Sequence, residues 1–297
     1  MPLPSATGKA YVNRRVDLHL HSRWSDGVLT PTELVRMAAE KKLAAIALAD
    51  HDAVDGIEEA RKTGATEGVE VIPAVELSVS FHAYHDVHLL GYFIDYRDET
   101  FRGMLGAFRT RRDARGKAII DRINDKLASE TRSPISLEEV LEGAEGALGR
   151  PHIARVLIAH GHAENTQDAF QRYLVPCDVP KLFIPMQEAL DEVHRIGGLA
   201  VLAHPTSITT ERPTLTALIR ELAGMGLDGI EAFNNLGTEE DCRYLERIAH
   251  DLDLLVTGGS DYHGFESDIQ MGVGRGSLSV PYRCVQHLKL RLNIADT

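Results

Sequence analysis

Near its N-terminus the chain reads Val16-Asp17-Leu18-His19-Leu20-His21-Ser22, and a carboxylate, Asp26, follows within a few residues. Side chains of an extended strand alternate between its two faces, so Asp17, His19 and His21 share one side while Val16, Leu18 and Leu20 share the other. Two imidazoles at i and i+2 near a strand end can converge on one cation, and Asp26 returns from the next loop to the same place. Nitrogen and oxygen ligands in that arrangement are those of a transition-metal or zinc site. Two satisfied histidines in a half-buried strand would look the same, so the rest of the chain must decide between them.

The elements that would position these residues follow in a regular rhythm. Thr30-Pro31-Thr32-Glu33 is a capping box with proline at the first helical position, and Leu34, Met37 and Ala38 recur at helical spacing, which predicts a helix to about Lys42. Leu43 to Ala49 is a short apolar run stopping at Asp50-His51-Asp52, as in a buried parallel strand with polar residues at its C-terminal end. Asp55 with Glu58 repeats the capping logic and predicts a second helix ending near Gly64. Val69 to Val75 predicts a third strand with Glu76 just past its end, and Val87 to Tyr92 a fourth with His88 at its start. Barrels of parallel strands assemble active sites from the loops at strand C-termini, and the polar residues collect there.

From about Asp98 to Pro185 the strand pattern stops. A long helical stretch carries Arg109, Arg111, Arg112, Arg115 and Lys117, which reads as a solvated helix face. Capped segments follow at Ser136-Leu137-Glu138-Glu139, Gly149-Arg150-Pro151-His152 and Thr166-Gln167-Asp168. The α/β rhythm then resumes: a helix from about Pro185 to Ile196, a strand from Leu199 to Ala203 ending at His204-Pro205, a helix from Thr214 to Met225, a strand from Gly229 to Phe233, and a helix from Glu239 to Asp251. Leu254 to Thr257 leads through Gly258-Gly259 to Ser260-Asp261-Tyr262-His263. The expected organisation is a first barrel part over 14–97, a helical insertion capping the substrate over 98–185, and a second barrel part over 186–297.

Composition narrows the function classes. With 297 residues, 43% hydrophobic and 26% charged, the chain can bury a barrel-sized core. A net charge of −12 argues against a broad basic face for nucleic acid. Cys177, Cys242 and Cys284 are far apart and form no C-x-x-C pair, which fits a reducing compartment. Met1 to Arg15 lack the apolar region of a signal peptide, and no apolar run approaches the ~20 residues that span a bilayer. The expectation is a cytoplasmic protein with no membrane contact and no stable protein partner.

Collected from the strand ends, the polar set is His19, His21, Asp26, His51, Glu76, His88, His204, Asp261 and His263. So many ionisable groups at one end of a barrel stay unpaired unless cations are present. They exceed the needs of one ion; with Glu76 bridging, the protein supplies roughly three bonds to each of three ions and leaves positions open for water and substrate. Two or three divalent ions are expected, and the mixed ligands favour manganese, zinc or iron over calcium or magnesium. His82 and His85 lie near His88 but do not open its apolar run. His160, His162, His194, His250 and His287 fall in helical or terminal stretches and read as solvated.

In five ordered motifs spanning nearly the whole chain, the sequence resembles the polymerase and histidinol phosphatase (PHP) family of metal-dependent phosphoesterases. They are Asp17-Leu18-His19-Leu20-His21-Ser22, Ala49-Asp50-His51-Asp52, Glu76, Gly198 through His204-Pro205, and Gly259-Ser260-Asp261-Tyr262-His263. The resemblance implies a distorted seven-stranded TIM-like β/α barrel with a helical insertion and a hydrolase of phosphoric ester bonds. On that pattern His19, His21, Glu76 and Asp261 hold one metal, Glu76, His88 and His204 a second, and Asp26, His51 and His263 a third.

The insertion and Gly149-Arg150-Pro151-His152 look like the bacterial branch that removes the 3′-phosphate of nucleoside 3′,5′-bisphosphates and trims short RNA from the 5′ end. Arg150 and His152 then reach over the metals to a substrate phosphate, which suits a guanidinium fork. One departure stands out: a lysine-rich Gly-Lys-type loop is replaced by Val175-Pro176-Cys177-Asp178-Val179-Pro180-Lys181. The expected chemistry is in-line attack by hydroxide that the cations make available near neutral pH, with Asp261 or His263 assisting proton transfer. Three rivals stand beside it. Histidinol phosphate phosphatase is disfavoured by the insertion and Arg150-Pro151-His152, an amidohydrolase by Asp26, Glu76 and Asp261-Tyr262-His263, and a non-catalytic nucleotide-binding module by the complete ligand set.

Overall fold

The computed structural model describes residues 14–142, 149–181 and 183–295, with the side chains of His85 and Asp86 outside that description. β1 (Arg15–Leu20) is followed by α1 (Pro31–Glu40), whose start has both halves of the expected capping box, Thr30 to the Glu33 N–H and Glu33 back to Thr30. α1 buries Leu34, Val35 and Ala38 against β2 (Ala45–Leu48) and its neighbours. α2 (Ile57–Glu67) differs from expectation at both ends. Gly56 caps it without any side-chain bond, and it runs on to a left-handed Gly68. Asp55 is not a cap because its carboxylate is taken by Arg102 and Arg109 from the next long helix, at 3.0 and 2.6 Å.

β3 (Glu70–Phe81) is longer than the apolar run suggests. It continues past Val75 because it pairs as an antiparallel hairpin with β4 (Tyr84–Tyr92), from Ala74 opposite Tyr92 to Phe81 opposite Tyr84. Glu76 therefore sits inside a strand rather than beyond its end. Then come α3 (Glu99–Ser129), α4 (Leu137–Leu141), α5 (Arg150–Ala159) and α6 (Thr166–Ala169), the last continuing as a π-helical turn, Phe170–Leu174. These helices bury a cluster of their own that includes Ile119, Ile123, Val140, Ile153, Leu157 and Tyr173. The alternating half resumes with β5 (Ile184–Pro185), α7 (Met186–Arg195), β6 (Leu199–Leu202), α8 (Arg212–Gly224), β7 (Gly229–Phe233), α9 (Glu239–Asp251), β8 (Leu255–Gly258), β9 (Val280–Pro281) and α10 (Arg283–Arg291). Among the described residues no helix is long and apolar enough to cross a membrane.

The sheet runs β8-β7-β6-β4-β3-β2-β1-β9, with β5 paired to the far end of β3. A parallel bridge from Leu20 to Tyr262, just after β8, brings the two ends together into a nearly closed barrel of seven strands with β5 and β9 as short additions. Along β2 the pleat separates two cores. Ile46 and Leu48 face the helices, whereas Ala45 and Ala47 join Ala74, Leu90, Val201 and α10's Leu288.

β4 is antiparallel to both β3 and β6. In an all-parallel barrel a residue at a strand's start would lie at the opposite end from residues at its neighbours' C-termini. Reversal of β4 brings His88, opposite Ser78 of β3, to the same end as the others.

Candidate metal centre

β1 delivers His19 and His21 fully buried. The register of β1 against β2 shifts between Asp17 and Leu20, an irregularity of the kind that re-aims side chains near active sites. Asp17 accordingly does not join the histidines. It accepts bonds from the Ser260 N–H at 2.8 Å, the Ser260 hydroxyl at 2.6 Å and the Gly272 N–H at 2.7 Å, tying β1 to the loops after β8.

Glu76 is the hub. Its Oε2 lies 3.2 Å from Nε2 of both His19 and His21 and 2.9 Å from Nδ1 of His51; its Oε1 lies 3.0 Å from His88 Nδ1 and 3.1 Å from His204 Nε2. Asp261 Oδ1 stands 3.1 Å from His21 Nε2 and 3.5 Å from His19 Nε2. Asp26 lies 3.2 Å from His263 Nε2, and the rings of His263 and His21 stack with centroids 4.1 Å apart. All nine residues singled out in the sequence come together. Their ligand atoms fall into overlapping groups, each within 4.8 Å: His19, His21, Glu76 and Asp261; His21, Asp26, His51 and His263; and His51, Glu76 and His88. His204 adjoins the last, 3.3 Å from His88 Nδ1.

The arrangement meets the needs of bound cations. His19 Nε2, His21 Nε2, His51 Nδ1, Asp26 Oδ1 and Glu76 Oε2 are buried and face one another without a hydrogen-bond partner. Buried polar atoms converging in this way are costly unless an ion joins them. Three strand-end residues also hold positive φ without being glycine, Asp52 at 50°, His204 at 27° and Asp261 at 51°. Such backbone persists where the surroundings over-determine it, commonly at functional sites.

A second layer fixes the first. Glu231, in the middle of β7 and fully buried, lies 3.0 Å from His19 Nδ1 through Oε1 and accepts the His204 N–H at 2.8 Å through Oε2. A carboxylate bound to the far nitrogen of a ligating histidine sets its tautomer and ring orientation. Sequence reasoning missed Glu231; the available signal was an acid inside the apolar strand Gly229 to Phe233. Asp50 accepts the Ser22 N–H and the Ser22 and Ser25 hydroxyls, each at 2.7 Å, and so shapes the loop that returns Asp26.

Protonation follows from this crowding. Burial disfavours the charged form of Glu76, but His51, His88 and His19 outweigh it and hold the carboxyl well below its usual range. Asp26 is likewise held low, against burial, chiefly by His263 and His51. Burial lowers His51 to about 4, whereas His263, buried too but facing Asp26 and Asp261, is pushed up to about 10. Burial raises Asp17 to about 6 despite its donors.

Of the basic residues of α3, Arg111 and Lys117 are exposed as expected, but Arg109, Arg112 and Arg115 are half-buried and do not form a solvated face. Arg109 and Arg102 take Asp55, Arg112 reaches the barrel mouth at 3.0 Å from Asp52 Oδ2 and 3.4 Å from the His51 carbonyl, and Arg115 takes Asp178 at 2.5 Å. Spacing near three residues puts 109, 112 and 115 along one side of α3, where they meet fixed acids of the barrel and of the 175–181 loop. Arg150 joins at 3.5 Å from the same Asp178. His152 is buried at the start of α5, its Nδ1 accepting the Gly149 N–H at 3.0 Å, and burial lowers its pKa. Among the other histidines, His162 is buried against expectation, at 5% exposure beside the α3–α5 cluster, whereas His160, His194, His250 and His287 lie at or near the surface. His85 lies outside the described side chains.

Comparison with known proteins agrees with this geometry. The family model for the PHP domain matches residues 17–174. A 5′-3′ exoribonuclease of Haemophilus influenzae is 32% identical over 255 residues, covering 85% of this chain and 91% of the relative. A 3′,5′-nucleoside bisphosphate phosphatase of Chromobacterium violaceum is 31% identical over 84% of this chain and 87% of its own length. The crystal structure of a Bifidobacterium adolescentis protein named for metal-dependent phosphoesterase activity superposes with a TM-score of 0.81 at 29% identity, covering 96% of this chain and 98% of that one.

Proposed function

The chain belongs to the PHP domain family and is a hydrolase of phosphoric ester bonds, and on that premise we propose that it removes the 3′-phosphate of nucleoside 3′,5′-bisphosphates and takes short RNA from its 5′ end. The observation that carries the reading is a set of converging, partnerless imidazole and carboxylate atoms lying under a rim of arginines. The names of the Haemophilus and Chromobacterium relatives support it.

His19, His21, Glu76 and Asp261 are assigned to one divalent ion, Glu76, His88 and His204 to a second, and Asp26, His51 and His263 to a third, with manganese, zinc or iron as the ions. When bound, such ions neutralise charge on phosphate oxygens and lower the pKa of water toward ~7. The chain's own residues orient the substrate and handle its protons. Arg150 and His152 are assigned to the substrate phosphates, and Arg112 joins them from the His51 side. Because His152 Nδ1 accepts a backbone N–H, the neutral ring carries its proton on Nε2 and donates from there. Asp261 and His263 are assigned proton transfer. Asp261 is the accessible carboxylate of the cluster, 30% exposed against 9% for Asp26 and 0% for Glu76, and its backbone carbonyl orients His263 through Nδ1 at 3.0 Å. The helices over 98–185 act as a cap, since they bring Arg112 to Asp52 and the His51 carbonyl and His152 to the wall beside Asp26.

The test is phosphate release by metal-stripped protein reloaded with manganese. Adenosine 3′,5′-bisphosphate, a 5′-phosphorylated oligoribonucleotide and histidinol phosphate are offered in parallel, with His19→Ala as control. Release from the first two, lost in the variant, is expected. Activity on histidinol phosphate alone would overturn the nucleotide reading.

A further inference from the structure

Beside the cluster, between the loop after β1 and α5, lies a pocket of about 200 Å³. It is smaller than the ~300–1,000 Å³ of sites for drug-sized ligands, and gives room for one heterocycle. Val28, Pro151, Ile158 and Phe265 form apolar walls, and Asp26 and His152 reach it from the catalytic side. Val28 and Phe265 are 36% and 43% exposed, an apolar pair left open beside a polar centre. Their placement is built in. The Val28 N–H bonds the His263 carbonyl at 2.8 Å, and between His263 and Phe265 stands Gly264 at φ +90°. A Cβ on Gly264 would lie 2.7 Å from Val28 Cγ2, so only glycine lets the two walls approach. The Phe265 ring centroid is 5.4 Å from that of His263, so a group stacked on Phe265 is within one sugar's length of the cluster.

The lining decides which part of a nucleotide enters. Its walls are mainly apolar, and the arginines that face Asp52 and Asp178, which suit a phosphate, are not among the residues that line it. A neutral planar ring suits the apolar walls, and Arg155 at the rim, anchored to the Glu142 carbonyl at 3.0 Å, offers a cation to its face. We propose that this pocket holds the nucleobase of the substrate, with Phe265 as the surface on which it stacks and therefore the residue that separates nucleotides from base-free phosphomonoesters. The assignment rests on the nucleotide reading of the same centre.

Equilibrium binding tests it independently of turnover. Manganese-loaded protein is titrated calorimetrically with adenosine 5′-monophosphate and with ribose 5-phosphate, while hydrolysis of adenosine 3′,5′-bisphosphate by the unaltered protein is measured alongside. Stacking of a base on an aromatic side chain corresponds to about fivefold or more in affinity. The unaltered protein should prefer the adenosine ligand by at least that factor, Phe265→Ala should bring the preference close to one, and Phe265→Trp should keep it. A preference that survives in Phe265→Ala, or is absent from the unaltered protein, overturns the pocket assignment. Absence of bisphosphate hydrolysis with the preference intact overturns the reaction assigned above and leaves the base pocket standing.

Discussion

Glu231→Gln isolates what the second layer contributes. Glu231 is fully buried and serves two groups at once, His19 Nδ1 at 3.0 Å and the His204 N–H at 2.8 Å. Glutamine keeps the volume but has one acceptor oxygen, so whichever way the amide turns, its NH₂ faces a donor. Losing a hydrogen bond to a charged acceptor removes about 1.5–3 kcal/mol, and loss of a partner behind a ligating histidine lowers metal affinity about 10- to 100-fold. These ranges overlap near 2 kcal/mol, or about thirtyfold. Glu231 is also among the carboxylates that, against burial, keep His19 above its ordinary pKa, with Glu76 the largest of them. Glutamine therefore makes the cation-free His19 easier to deprotonate and offsets part of the loss at low pH. The assay is manganese and zinc titration against a chelating dye at pH 6.5 and 8, with the melting temperature of the stripped protein as a folding control. Affinity within threefold of the unaltered protein at both pH values, in a folded variant, would refute the positioning role.

Three further outcomes follow from the same structure. In the stripped protein His263 is raised to about 10 against an unfolded value near 6.5. The stability this gives is whole below about pH 6.5 and is lost as pH rises through 10. The melting temperature should fall across that window, less steeply in His263→Asn, and cation binding at pH 8 should release protons, seen as a binding heat that depends on the buffer. Asp178→Asn removes the carboxylate that takes Arg115 and Arg150; because Asp178 is 39% exposed and screened, KM for a 5′-phosphorylated oligonucleotide should fall by only about threefold at low salt and less at high salt. Gly259→Ala would put a Cβ 2.3 Å from that of His19, so a loss of about 1–3 kcal/mol or more in denaturant titration is expected, together with weaker cation binding.

What the sequence disclosed depended on whether a residue's role was local. His19 and His21 alternate on one strand, and His51, His204 and His263 stand where apolar runs stop, so their types and positions were enough. His88 was legible as a residue but not as geometry, because nothing in Val87 to Tyr92 declares that β4 runs backwards; direction is settled by pairing with β3 and β6. Glu76 looked like a loop residue for the same reason, since the hairpin partner that prolongs β3 is not visible in β3 itself. Asp17 shared the histidines' face on paper, and only the register shift in β1 and the donors at Ser260 and Gly272 separate it from them. Glu231 meets His19 from 212 residues away and the His204 N–H from 27, and Arg112 meets Asp52 from 60; a single acid in a strand or a run of arginines on a helix carries no mark of what it will meet.

The acids of the site divide by what answers them, and that division links cations to substrate. Asp17, Asp50 and Asp52 are each held by N–H, hydroxyl or guanidinium donors and are satisfied by protein alone. Asp26, Glu76 and Asp261 face imidazoles, which answer a carboxylate only while they carry protons. A phosphate brought to a cluster in that state meets negative charge at close range, and the arginines at the rim are partly engaged with Asp52 and Asp178. Divalent cations replace protons with charge that cannot leave as pH rises, and they turn the same cluster into an attractive site for phosphate oxygens. Two ligands that each favour the other's presence are coupled reciprocally. A nucleotide that binds more tightly when manganese is present must therefore tighten manganese by the same factor, and chelator titrations with and without adenosine 5′-monophosphate should return equal coupling from either direction. Zero coupling would mean that the phosphate is held by the arginine rim alone, with the cluster playing no part in recognition.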